Sequence, residues 1–312
     1  MDNITKAIII ASIVIIAVLA VFIFRGGQEE TEQETNNVNA IKVERPKGRR
    51  PLGNDAEGDE LQEYVASSKE SKQAMQGIAK AFLSGSEDEI ADAIIEMEGL
   101  GTEDILALFD TAMRIKNPEY RKDVITRVQA LPHRGAVAAL AKAMNDSDPS
   151  VRQLAISALA MTEGMLHDEV EKAKQASKDR LTLEEEDKAQ VAAAIKQAIN
   201  DSDEEVRQEV LESLPMFSAD FQNYGVNTAI EADDKNVRSN ALFLAQSSFN
   251  KETISAIITA IDDKDKKISE QAVDFMQQMF EQDFTSTKEA REWWERNSYK
   301  YDYDLVQQQE DD

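Results

Sequence analysis

A thirteen-residue pattern recurs along this chain, and it limits the fold more than any other feature. SDPSVRQLAISAL (147–159), SDEEVRQEVLESL (202–214), DDKNVRSNALFLA (233–245) and KDKKISEQAVDFM (264–276) align without gaps. Their anchor residues are Val151, Val206, Val237 and Ile268, and the last two steps are each 31 residues. Counting back from Val151 gives Tyr120, in KNPEYRKDVITRV, and then Ile90, in SEDEIADAIIEME. A fixed period of this length marks a repeat architecture of about six units. Each segment reads as a helix start: Asp148 precedes Pro149, and Ser202 and Glu205 have capping-box spacing. Apolar residues then recur at i, i+4 and i+8, as in Val151, Ala155, Leu159 and in Val206, Val210, Leu214.

A second apolar series follows in each unit: Ala136, Leu140, Met144; Val191, Ile195, Ile199; Val226, Ile230; Ile257, Ile261. The unit is therefore a helical hairpin of about 31 residues, too small to bury both faces alone but able to do so in a stack. No alternating strand pattern is present, so the expected fold is all-α, an α-solenoid over residues 58–312. At Val-Arg 151–152, 206–207 and 237–238, each after an acidic turn, the chain resembles the HEAT-repeat family. The period is similar to the short bacterial HEAT-like units, which include phycobilisome-lyase-type repeats. The resemblance covers roughly residues 85–300 and implies a binding scaffold. EAREWWERN (289–297) looks like a closing segment of such proteins. Ile268-Ser269 departs from the Val-Arg pattern, and the unit at Ile90 lacks the arginine.

Ahead of the repeats, Ala7 to Phe24 is an 18-residue run without a charge, between Lys6 and Arg25. As a helix it would be about 27 Å long, enough to cross a bilayer core. The expectation is one N-terminal transmembrane signal-anchor over residues 1–25. A signal peptide cut after Ala20 is the alternative, although the apolar run continues past that point. Lys6 and the terminal amine favour an N-terminus inside, which places the body extracytoplasmically. Residues 26–57 are too poor in apolar side chains to fold and read as a flexible linker. Their basic cluster Lys47, Arg49 and Arg50 reads as a solvated loop or a contact to anionic lipid.

The chain has a formal net charge of −25, of which residues 1–57 carry only −1. A body so acidic repels phosphate backbones, so nucleic acid is not expected as a partner. There is no cysteine, hence no disulfide framework and no thiol nucleophile. The two histidines, His133 and His167, fall in different units without metal-ligand spacing. No Walker A, G-x-S-x-G or G-x-G-x-x-G sequence occurs. No catalytic residue, metal or cofactor is expected.

Three features remain as candidate sites. Arg152, Arg207 and Arg238 occupy equivalent positions. They read either as cations for an acidic ligand or as structural partners of acidic turn residues such as Asp146, Asp201 or Asp233. The steps from first to second helix show about 24 extra residues in one unit, near 162–186. Leu166 and Val170 there have helical spacing, and Thr182 and Glu185 have capping-box spacing. The insert reads equally as a partner contact or a longer hairpin. Trp293, Trp294 and Tyr299, in the segment 284–305, read as a cap on the last unit or as an aromatic contact for a partner. The functional expectation is a membrane-tethered, non-catalytic scaffold that binds a protein in the groove of its second helices. A lyase- or chaperone-like accessory factor and a spacer of the cell envelope are the alternatives.

Overall fold

The structure is a computed structural model that describes residues 72–306, apart from positions 174 and 249. The expected membrane span at 7–24 and the linker at 26–57 lie outside the described residues. Among the described residues there are helices and turns but no strand, and no helix is long and apolar enough to cross a membrane. The chain is all-α over this range.

Helix α1 covers 72–84. The others are α2 (Glu87–Glu96), α3 (Thr102–Ala112), α4 (Pro118–Gln129), α5 (Arg134–Ala143), α6 (Pro149–Lys172), α7 (Gln175–Leu181), α8 (Glu185–Ile199), α9 (Glu204–Ser213), α10 (Ala219–Ala229), α11 (Lys235–Ser248), α12 (Ile254–Ala260), α13 (Lys266–Phe280) and α14 (Thr287–Asn297). Side-chain caps at the expected turns start many of them. Ser86 and Glu89 form a capping box on α2, while Asn117 and Asp148 cap α4 and α6 ahead of a proline at the first turn. Asp265 caps α13, and Asp203 caps α9, one residue after the Ser202 that the capping-box spacing suggested.

The helices pack in two layers. In the first, α2, α4, α6, α9, α11 and α13 each pack on the next; in the second, α3, α5, α8, α10, α12 and α14 do so. Each second-layer helix up to α12 also packs on the first-layer helix that follows it in the chain. The anchor residues Val151, Val206, Val237 and Ile268 and the second-helix series Ala136, Leu140, Met144, Val191, Ile195 and Ile199 are all buried in one continuous core. The i, i+4, i+8 spacing thus places one face of every helix between the layers.

The insert departs in part from its expected form. Helix α6 runs unbroken to Lys172, Leu166 is 1 % exposed within the core, and Val170 is partly exposed. Leu166 is therefore a packing residue and offers no surface to a partner. Helix α8 starts at Glu185, but Thr182 does not cap it. Glu184 is its N-cap, and the Glu184 amide donates to the Asp187 carboxylate at 3.0 Å. The extra residues not absorbed by α6 form α7, which packs beside α6.

At the C-terminal end, Trp293, Trp294 and Tyr301 cluster around Phe280, with ring centroids 5.2–5.7 Å from it. Both tryptophans are partly buried, whereas Tyr299 is 68 % exposed. The cluster covers the last apolar face of α13, and only Tyr299 among the three aromatic candidates stands free of it.

Candidate functional site

The equivalent arginines form a ladder along one edge of the first layer. Arg152 Nε and Nη2 donate to the two oxygens of Asp201, each at 2.7 Å, and Nη1 donates to the Asp146 carbonyl at 2.9 Å. Arg238 grips Asp263 at 2.7 and 3.1 Å and the Ala232 and Asp233 carbonyls at 2.9 and 2.8 Å. Arg207 reaches a single oxygen of Asp234, at 3.1 and 2.9 Å, and the carbonyls of Asp201 and Ser202. Each arginine thus ties its own turn to the turn of the following unit. Asp233 contributes only its carbonyl; the carboxylates that accept are Asp234 and Asp263, not Asp233 as the sequence suggested.

A fourth rung was missed in the sequence. Arg121 follows the anchor Tyr120 and binds Asp146 at 2.7 Å through both Nε and Nη2, with Nη1 on the Ile115 and Lys116 carbonyls. The signal was present in the alignment as Tyr-Arg in place of Val-Arg. The ladder ends where Ser269 replaces arginine and donates its hydroxyl to the Ile261 carbonyl at 2.6 Å.

Turn carbonyls and carboxylates take up the guanidinium donors of all four arginines, and three of the pairs are buried. The side chains of Arg121, Arg152 and Arg238 are 5–12 % exposed and those of Asp146, Asp201 and Asp263 are 4–5 % exposed. Burial pushes the Asp201 carboxyl up. The bonds from Arg152 and from the Asp203 amide outweigh this and hold it below the usual carboxylate range. Arg152 and Arg238 are raised, first by the bonds to their aspartates. The geometry is that of a structural ladder.

A second buried polar contact was also missed. Glu163, 3 % exposed on α6, accepts the Ser218 amide and the Ser218 hydroxyl, both at 2.8 Å, and so caps α10 from a neighbouring unit. Burial raises its pKa against the lowering effect of those bonds. Gly164 beside it leaves no room for a side chain, since a Cβ there would lie 2.1 Å from the Met216 carbonyl oxygen. In the sequence, Glu163 looks like any solvated acid in an acidic chain.

The exposed face of the second layer carries small and polar side chains: Ala107, Ala193 and Ser255 beside Lys142, Lys196 and Tyr224. Lys142 lies 3.7 Å from Asp110 on the neighbouring helix.

One pocket of about 370 Å³ lies at the starts of α3 and α5, lined by Gly101, Thr102, Glu103, Asp104, Pro132, His133 and Arg180. His133 Nδ1 accepts the Gly135 amide at 3.0 Å, capping α5, and Nε2 lies 3.1 Å from Glu103. Both ring nitrogens are thus engaged. His167 is an exposed residue of α6. Among the described residues no group of three or more histidine, aspartate and glutamate side chains has the arrangement to hold a metal ion.

No protein-family model matches this chain, and no curated protein matches it.

Proposed function

We propose that this protein is a membrane-tethered scaffold in which a HEAT-like α-solenoid binds another protein through the groove of its second helices. The observation that carries the reading is the second layer. Its helices pack each on the next, and their outer face exposes small residues, interspersed charge and Tyr224. Tyrosine is enriched at protein interfaces, and an exposed helix face suits a protein partner better than a small substrate, which takes a concave pocket. The tether rests on the uncharged run Ala7–Phe24, and the acidic net charge of the chain favours a basic partner. The body lies outside the cytoplasm in this reading, and the protein is not an enzyme.

Site-specific photo-crosslinking in intact cells tests it. A crosslinker at Ala193 or Ser255, in the second layer, captures a discrete partner, and one at the first-layer Phe243 does not. Equal capture from both layers, or none from the second, contradicts the groove.

A second reading has one observation in its favour, the pocket that holds Glu103, Asp104 and His133. It is that of a lyase- or chaperone-like accessory factor acting on a cofactor-bearing protein. It predicts that Glu103→Gln abolishes function while leaving partner capture intact.

A further inference from the structure

The joints between successive units are not equally locked. Between α4 and α6, Arg121 forks onto both oxygens of Asp146, and Gln197 on α8 donates to the Met144 carbonyl at 2.6 Å. Between α6 and α9, Arg152 forks onto Asp201 on one edge, while Glu163 holds Ser218 on the other. Between α11 and α13, Arg238 forks onto Asp263, and Thr287 on α14 donates its hydroxyl to the Ile258 carbonyl at 2.9 Å.

The joint between α9/α10 and α11/α12 has only a weaker form of each lock. Arg207 has one carboxylate oxygen to bind, and the side chains of the Arg207–Asp234 pair are 19 % and 26 % exposed. Across the second layer, the joint has the exposed contact of Asn227 Nδ2 with the Glu252 carbonyl at 3.2 Å. The cause is legible in the repeat. Asp146, Asp201 and Asp263 stand five residues before their anchors, and at that place before Val237 the chain has Ala232. Arg207 must therefore turn to Asp234, which offers it only Oδ2; Oδ1 accepts the Asn236 amide at 2.7 Å, as Oδ1 of Asp146, Asp201 and Asp263 accepts an amide two residues on while still binding its arginine. A solvated pair that rests on one oxygen opens at less cost than a buried fork.

We propose that this joint is a hinge, about which residues 233–306 swing as a block against residues 118–232, with the substitution at Ala232 as its cause. The second layer spans the joint through α10 and α12, so the swing changes the distance between those helices. The inference does not depend on what the second layer binds.

The absence of native cysteine allows a direct test by spin-label distance distributions in the full chain. Pairs at equivalent positions are Ser150→Cys with Glu205→Cys, Glu205→Cys with Asn236→Cys, and Asn236→Cys with Lys267→Cys. The middle pair is expected to give a distribution about twofold wider than the others. Ala232→Asp, which restores the missing carboxylate, narrows it to match them. Equal widths for the three pairs in the otherwise native chain overturn the hinge. A middle distribution that stays broad in folded Ala232→Asp protein overturns its assigned cause.

Discussion

Arg152 and Arg238 show how a charged side chain becomes part of a core. Each places its guanidinium between two turns, where carbonyls and a carboxylate take its donors. Removing one partner leaves the other buried and unpaired. Arg152→Ala and Arg238→Ala are therefore expected to cost about 3–5 kcal/mol in denaturant unfolding. Arg207→Ala, at the solvated rung, costs about 1 kcal/mol. Equal losses at all three positions would contradict the ladder described above. Protons act on the ladder and on Glu163 with opposite signs. Asp201 and Asp234 titrate below the usual range, Asp201 despite its burial and Asp234 first through the Asn236 amide, so their stabilisation is present above it and is lost as pH falls through their folded values. Glu163 is raised by burial, so its contribution is full below its ordinary value of 4.5 and is lost as pH rises through the folded one. Glu163→Gln keeps an acceptor for the Ser218 amide and removes the charge. The variant is expected to be more stable than the native protein at pH 8 and equal to it near pH 4, as read from thermal melts.

At the scale of elements, the insert shows what periodicity reveals and what it hides. The 24 extra residues are the difference between the 25-residue separation of Arg121 and Asp146 and the 49-residue separation of Arg152 and Asp201. Their number was legible in the sequence. Their use was not, because Leu166 has the same helical spacing whether it faces solvent or core; only the neighbouring helices decide. Leu166→Ala is expected to cost about 2–5 kcal/mol, and Val170→Ala far less, in the same unfolding measurement. The reverse order would place the α6 extension outside the core. Gly164 was also silent in the sequence, since a glycine inside a helix signals close packing only once the crossing segment Leu214–Met216 is known. Gly164→Ala is expected to lower the melting temperature by several degrees through that clash. By contrast the cap at Asp148 ahead of Pro149 was legible, because capping depends on residues two or three apart in the chain, whereas Ser202 was named where its neighbour Asp203 caps.

For the whole molecule, a 31-residue hydrophobic period gives two layers of helices with a shared core, and the arginines after the anchors tie successive turns together. The pattern was readable because each unit repeats the same local problem, a hairpin with two apolar faces, and the same solution. The aromatic segment 284–305 was readable for a related reason, since among the described residues no further hairpin covers α13 and the apolar face left there needs a cover. The weak rung at Ala232 was present in the alignment as well, but its meaning depended on knowing which carboxylate each arginine binds. We propose that this body is held at a membrane by residues 7–24 with its repeats outside the cytoplasm. Asn54→Cys gives the chain a single thiol in the linker for a membrane-impermeant maleimide. Labelling is expected in cells whose inner membrane is intact, together with loss of the protein from the membrane fraction when residues 1–25 are removed. Labelling only after the inner membrane is permeabilised, or a truncated chain that still sediments with membranes, would contradict it.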